Sequence, residues 1–365
     1  MAGVYIAYPF CSQKCTYCNF ASGVMPPELE RAYLAALADE IRRHAWQWTP
    51  ETVYLGGGSP SRLAIRDLHS ILQAIPGRPW REATIEAAPG EVTAEKAAGW
   101  AEAGITRASL GVQSFVPAES ARTGRRHTPE IVRRDVEALG AAGIRRINID
   151  LIAGLPGQTA ASWETSLDWV ARLGAGHVSV YMLEADEDSR LGREILAGGK
   201  RYGAADVPSE EAVTELYERA ADRLAELGIG RYEISNFARP GEESLHNLKY
   251  WRLEPYAGFG ADAHSFDGVA RRQNAATAAE YVERHRRGET ACVETVAARL
   301  DEERFFVGLR LRDGVRPTAE ERRRFREPVS RFVADGLLED RGDRLRLTRR
   351  GVLLSNEVFQ EFIRI

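Results

Sequence analysis

Three of the four cysteines in this 365-residue chain, Cys11, Cys15 and Cys18, fall within one short stretch, YIAYPFCSQKCTYCNF. Their C-x3-C-x2-C spacing brings three soft thiolates within reach of one centre, and thiolates select zinc or iron–sulfur clusters. Spacing alone leaves both metals open. A structural zinc site would want a fourth Cys or His nearby, yet no histidine falls between Cys18 and His44. An iron–sulfur cluster held by three cysteines keeps one iron free for a ligand. Three clustered thiols are not a disulfide framework, so a reducing compartment is expected and the chain reads as cytoplasmic. Cys292, alone in GETACVET, reads as a free thiol packed as a small hydrophobe.

The elements that must carry these thiols follow a repeating rhythm. Short β-branched or aromatic runs, VYIAY (4–8), TVYL (52–55), ATIEA (83–87), RASLGV (107–112), RINIDLI (146–152) and HVSVYML (177–183), suggest six strands. Helical patterns lie between them. TPEIVRRDVEALGAAG, for example, opens with Thr128 as N-cap, Pro129 at the first helical position and Glu130 in the first turn. Such alternation implies βαβ units and a parallel sheet of α/β class, open or curled into a barrel. Several strands end on residues that a buried core would not need: Gly56, Gly57 and Gly58, then Glu86, Gln113 and Asp150. In parallel barrels that end faces the active site.

Beyond residue 185 the pattern changes. PSEEAVTELYERAADRLAELG reads as a long amphipathic helix, and HNLKYWRLEPYAGFGADAHSF as a Gly-rich aromatic loop of weak periodicity. From about residue 295, helices around GLLED, RGD and RLRLT suggest a helix-rich module with a two-stranded wing. The expected domains are therefore a barrel over 1–230, an aromatic segment over 231–294 and a C-terminal module over 295–365.

Composition narrows the partners. At 44% hydrophobic the chain can bury a barrel-sized core, and its formal charge of −4 lacks the basic excess of a phosphate-neutralising surface, so nucleic acid is not expected. No charge-free apolar stretch approaches the roughly 18 residues of a membrane span, and the first ten residues hold no Lys or Arg for a signal peptide. Membrane contact is expected to be peripheral at most.

The cysteine triad after the first strand, followed by GGGSPS after the second, resembles the radical S-adenosylmethionine (SAM) superfamily. The resemblance implies a partial (β/α)6 parallel barrel holding a 4Fe-4S cluster on Cys11, Cys15 and Cys18. IEAAPGE, SLGVQSF, GRRH, NIDLIAGLPGQT, YEISNFARPG, HNLKYW and GFGADAHS narrow it to the branch of the HemN-type oxygen-independent coproporphyrinogen III oxidases and the HemW-type haem chaperones. These motifs run from Tyr5 to Ser265, and the winged-helix-like end fits the same branch. Ala7 stands where that branch commonly has a histidine, in Ile6-Ala7-Tyr8-Pro9-Phe10.

The resemblance implies that Tyr5, Tyr17, Gly57, Gly58, Ser59, Glu86, Gln113, Arg125 and Asp150 surround SAM, and that His246, Tyr250 and Trp251 handle haem. Each has a plainer alternative. Three glycines could simply make a tight turn, the strand-end polar residues could cap helices, Arg125 could be an exposed helix residue, and Tyr5 and Tyr17 could be core. His246 could be a hydrogen-bonded packing histidine rather than an axial ligand. His264 is a second histidine of unassigned role. The oxidases carry a further cysteine two positions beyond the third cluster ligand; here Phe20 stands there. The expected function is thus haem binding and delivery to haemoproteins such as respiratory enzymes, without coproporphyrinogen oxidase activity. The alternatives are that oxidase or a radical SAM methyltransferase.

Overall fold

A computed structural model describes residues 2–363. Six strands lie side by side in chain order, all parallel: β1 (Ala2–Tyr8), β2 (Pro50–Gly57), β3 (Glu82–Ala87), β4 (Arg107–Gln113), β5 (Arg146–Ala153) and β6 (His177–Met182). Helices such as Pro27–Arg43, Ile65–Gln73, Ala94–Glu102 and Pro129–Ala141 connect them, as the alternating pattern implies. Thr128 takes the N-cap position and Pro129 the first helical position, although the Thr128 hydroxyl makes no capping bond. Together these elements form the α/β partial barrel.

The side chains of each strand alternate between two chemically different faces. Val4, Ile6, Val53, Leu55, Ile85, Leu110, Ile149 and Val178 point outward, are 0% exposed and meet helical residues such as Leu37, Leu68, Trp100 and Leu167. The hydrophobic core is therefore the layer between sheet and helices. The inner face instead carries Tyr5, Tyr54, Thr84, Glu86, Ser109, Asn148, Asp150, His177 and Ser179, which register places opposite one another across neighbouring strands. This barrel interior is polar where parallel barrels usually stack bulky aliphatics.

Strands from residues 231–294 join both edges of the barrel sheet. β7 (Gly230–Arg231) and β8 (Asn236–Ala238) extend the sheet antiparallel beyond β6. β9 (Tyr256–Phe259) pairs parallel with β1, followed by antiparallel β10 (His264–Phe266), β11 (Ala270–Asn274) and β12 (Cys292–Ala297). The stretch expected as a loop is thus a short helix, Leu245–Trp251, and a strand. Its glycines hid the strand because they answer to close approach: a Cβ on Gly258 would sit 2.1 Å from the His264 carbonyl oxygen, and Gly260, at φ +94°, packs on Ala7 and Tyr33. Cys292 begins β12 and is half-buried, not packed in the core.

The C-terminal module opens with helix Leu300–Gly308 and contains the hairpin of β13 (Leu338–Asp340) and β14 (Leu345–Leu347). Phe305, Phe325 and Phe362 pack at its centre, with ring centroids 4.6–5.1 Å apart. Arg349 holds the module to the barrel by pairing with Glu218 and Asp222 on helix Glu210–Glu226.

Candidate functional site

The C-terminal ends of the parallel strands open on a cavity of about 490 Å³. Cys11, Cys15, Cys18, Tyr17, Gly57, Gly58, Ser59, Glu86, Gln113, Arg125 and Asp150 all line it. The loop carrying the thiols is held at several points. The Cys11 N–H donates to the Gly23 carbonyl at 2.9 Å, Gly23 returns one to Pro9 at 2.9 Å, and Thr16 bonds to the Thr123 carbonyl at 3.1 Å and accepts from Leu191 at 2.8 Å. All three thiols are free; Cys11 is buried and the other two half-buried. Burial pushes the Cys11 thiol pKa up, opposed by hydrogen bonds from Ser22 and Ser59.

Among the described residues no three Cys, His, Asp or Glu side chains converge at distances suited to a single metal ion. Three thiols lining one cavity, with no fourth Cys or His beside them except the hydrogen-bonded His177 among the described residues, fit an iron–sulfur cluster.

The surrounding groups fit a cationic cofactor with hydrogen-bonding edges. Glu86 accepts from the Tyr54 hydroxyl at 2.9 Å and the Gly57 N–H at 3.1 Å, while burial and then the nearby Asp150 push its pKa up to about 7. Asp150 accepts from Asn148 at 2.7 Å and Ser109 at 3.2 Å, and burial raises its pKa too. Two carboxyls sharing a buried wall call for a positive ligand. Gln113 sits at a bulge of β4 with φ 70°, and its buried Oε1 has no partner among the described residues. Gly111 leaves room beside it, since a Cβ there would meet Gln113 Nε2 at 3.2 Å and the Arg125 guanidinium at 3.4 Å. Arg125 bonds the Tyr17 hydroxyl at 3.1 Å; burial opposes its charge, but Tyr17, Cys15 and Asp150 outweigh that. An unsatisfied amide oxygen and a fixed cation are features of a binding wall rather than of a core.

A pH dependence follows from Glu86. A carboxyl whose folded pKa is raised stabilises the fold fully below its ordinary value near 4.5, and that contribution is lost as pH climbs through about 7. Binding of a cation reverses the preference, because it favours the carboxylate. SAM affinity is therefore expected to rise between pH 5.5 and 7.5, by at most about tenfold per pH unit, and then level off. Isothermal titration across that range checks this, and a flat profile would exclude Glu86 from contact with the charge.

The haem-handling trio lies elsewhere. Helix Leu245–Trp251 plugs the opposite end of the barrel, where the strands begin. Glu82 caps its N-terminus, accepting from the backbone N–H groups of Leu245 at 3.2 Å and His246 at 3.0 Å. His246 is 1% exposed, and its ring nitrogens are both engaged, Nδ1 with the Thr52 hydroxyl at 2.9 Å and Nε2 with the Tyr250 hydroxyl at 2.8 Å. Burial, with the charge of Lys249, lowers its pKa to about 3. Both ring nitrogens of the imidazole are thus held by hydroxyls of the chain itself, with the Tyr54 ring stacked on it at 5.3 Å. Tyr250 stands edge-on to Tyr256 at 4.7 Å, and the Arg310 guanidinium lies 4.3 Å over the Trp251 ring. Tyr5 stacks on Tyr54 at 6.1 Å behind the cavity wall. His264 is exposed on β10, and Phe20, 67% exposed, stands at the cavity rim.

The inner-face residues Tyr54, Ser109, Asn148, His177, Ser179 and Tyr181 also line the cavity, although nothing in their local motifs marks them. Their signal is the strand period itself, N-x-D in RINIDLI and H-x-S-x-Y in HVSVYM. His177 bonds Asn148 at 2.6 Å and Tyr232 at 2.9 Å, so the wall is one connected polar network.

Comparison with known proteins adds independent findings. The radical SAM superfamily profile matches residues 5–170, and the HemN C-terminal domain profile matches 300–354. The chain is 33% identical to the haem chaperone HemW of Lactococcus lactis over 98% of its own length and 96% of that protein. It is 33% identical to HemW of Bacillus subtilis over 100% and 99%, and 35% identical to HemW of Mycobacterium tuberculosis over 99% and 94%. Among solved structures, the coproporphyrinogen III oxidase HemN of Escherichia coli shares the fold, with a TM-score of 0.84 at 22% identity over 99% of this chain and 89% of that one.

Proposed function

Because this chain belongs to the HemW family within the radical SAM superfamily, we propose that it binds haem and passes it to acceptor haemoproteins. The observation that carries this reading is the likeness to haem chaperones along essentially the full length of both chains. Phe20 supports it against the oxidase, because an exposed phenyl group at the rim offers neither a thiolate nor a proton. Cys11, Cys15 and Cys18 would hold a 4Fe-4S cluster. Gly57, Ser59, Glu86, Gln113, Arg125 and Asp150 would seat SAM, with Glu86 and Asp150 facing its positive charge and Arg125 its carboxylate. The bound pair supplies one-electron chemistry; the protein's part is to orient the cofactor and keep it from bulk water. Respiratory haemoproteins are the acceptors proposed, and the cytoplasm the compartment. No helix among the described residues is long and apolar enough to cross a membrane.

Anaerobically reconstituted protein should give a saturable Soret change with haemin, and should yield no protoporphyrinogen IX from coproporphyrinogen III with SAM and a reductant. Decarboxylation at enzymatic rates, or haem titration without saturation, overturns the carrier reading. In the same assay His246→Ala should leave the Soret band in place while lowering stability by about 2–4 kcal/mol, the cost of a cavity and two unpaired hydroxyls. A shifted band would return His246 to the iron.

A further inference from the structure

A second cleft, of about 400 Å³, lies where the C-terminal module meets helix Glu210–Glu226 and β7. Four arginines line it, Arg231, Arg312, Arg346 and Arg349, against two carboxylates, Glu218 and Glu339. Those carboxylates are taken: Glu339 pairs with Arg346 at 2.6 Å, and Glu218 with Arg349 at 2.7 Å. Among the described residues no carboxylate oxygen lies within 4.0 Å of the Arg231 or Arg312 guanidinium. Burial depresses the Arg231 pKa; Tyr217 and Glu233 oppose this, and Arg312 and Arg346 reinforce it. A half-buried guanidinium among other cations is unfavourable until an anion joins it.

Apart from Thr348, the rest of the lining is aromatic or aliphatic. Tyr217, Ala221, Leu347, Val352 and Leu353 form one wall. Tyr217 and Leu353 also line the barrel cavity, so the two spaces are separated by a single layer of side chains. The C-terminal module therefore supplies arginines and leucines to a cleft set directly against the candidate cofactor chamber.

We propose that this cleft holds haem by its two propionates, with Arg231 and Arg312 on the carboxylates and the macrocycle against Tyr217, Leu347 and Leu353. The proposal rests on the haem-carrier reading and locates it. Planar guanidinium groups match carboxylates bidentately, which gives orientation as well as attraction. Among the described residues the cleft lining contains no His, Cys or Met, and the Tyr217 hydroxyl is already bonded to the Ile234 carbonyl, so the iron receives no strong ligand there. A carrier that grips the carboxylate edge and leaves the iron unligated presents the metal to an acceptor's own ligand.

The test is a haemin titration, followed at the Soret band, of the wild-type chain and of the Arg231→Gln/Arg312→Gln double variant, with haem dimethyl ester as a second probe on the wild type. Both changes remove the same charge pairing, one from each side. Affinity should fall about tenfold or more in each case, with iron and sulfide content and circular dichroism unchanged in the variant. If haem binds the double variant as tightly as the wild type, or if the ester binds as tightly as haem, the cleft assignment is wrong while the carrier reading stands. If the wild type shows no saturable haem binding, the carrier reading itself falls and takes this assignment with it.

Discussion

Cys15→Ala is expected to strip the protein of most of its iron, acid-labile sulfide and brown absorbance, with a loss of at least about tenfold in cluster content. Two remaining thiolates leave two irons of a 4Fe-4S cluster without protein ligands, and among the described residues no further Cys or His side chain lines the cavity to replace the third except His177, which is bonded to Asn148 and Tyr232. The fold should survive. Cys15 is half-buried and lies outside the hydrophobic core, while the loop's backbone is clamped through Cys11, Thr16 and Gly23 independently of its thiol. The melting temperature of the apoprotein should therefore change little, by an amount corresponding to roughly 1 kcal/mol. Iron and sulfide assays beside a melting curve check both halves, and wild-type iron in the variant would remove Cys15 from the cluster.

Gly58→Ala should be damaging for a reason unrelated to backbone flexibility. Its Cβ would lie 2.7 Å from the Phe10 carbonyl oxygen, 2.8 Å from that of Tyr8 and 2.9 Å from the Phe10 nitrogen. All three are backbone atoms, which cannot rotate aside. The same residues are tied by hydrogen bonds from Gly58 N–H to Tyr8 at 2.8 Å and from Ser59 N–H to Phe10 at 2.9 Å, so the strain passes into the peptide preceding Cys11. A destabilisation of roughly 1–3 kcal/mol is expected, with reduced cluster retention. Gly140→Ala is the matched control: a Cβ there meets nothing within 4 Å on helix Pro129–Ala141, and the change should stabilise by about 0.5–1 kcal/mol. Equal melting temperatures for the two variants would refute the steric argument.

Legibility in the sequence tracked how local each determinant is. The six parallel strands could be read because each is a short run of β-branched and aromatic residues, and the thiols because C-x3-C-x2-C needs no partner elsewhere. Glu86, Gln113 and Asp150 were visible as polar residues closing such runs. The role of HNLKYW was harder to read, since a histidine between aromatics looks the same whether its nitrogens face a ligand or, as here, Thr52 and Tyr250. GGGSPS shows only part of its role in sequence: Gly58 lines the cavity, and the absence of a Cβ there also admits the chain's own Phe10 backbone. The arginine cleft could not be read at all. Arg231, Arg312 and Arg346 come from distant stretches, and only tertiary packing makes them neighbours.

The helix that plugs the barrel floor also has a consequence for assembly in time. Glu82 is 0% exposed and Arg107 2%, and their partners, the His246 N–H and the Glu242 carbonyl, arrive 164 and 135 residues later in the chain. During synthesis at about 5–20 residues per second, the roughly 60 residues between Met182 at the end of β6 and Glu242 take about 3–12 s, so the first six strands would emerge that long before the segment that completes these hydrogen bonds. Until then β1 also lacks its second neighbour, β9. An incompletely translated barrel thus exposes an unpaired strand edge and leaves the Glu82–Arg107 ion pair, 3.8 Å apart, without the backbone groups that complete its hydrogen bonding, which makes closure a late, long-range and cooperative event.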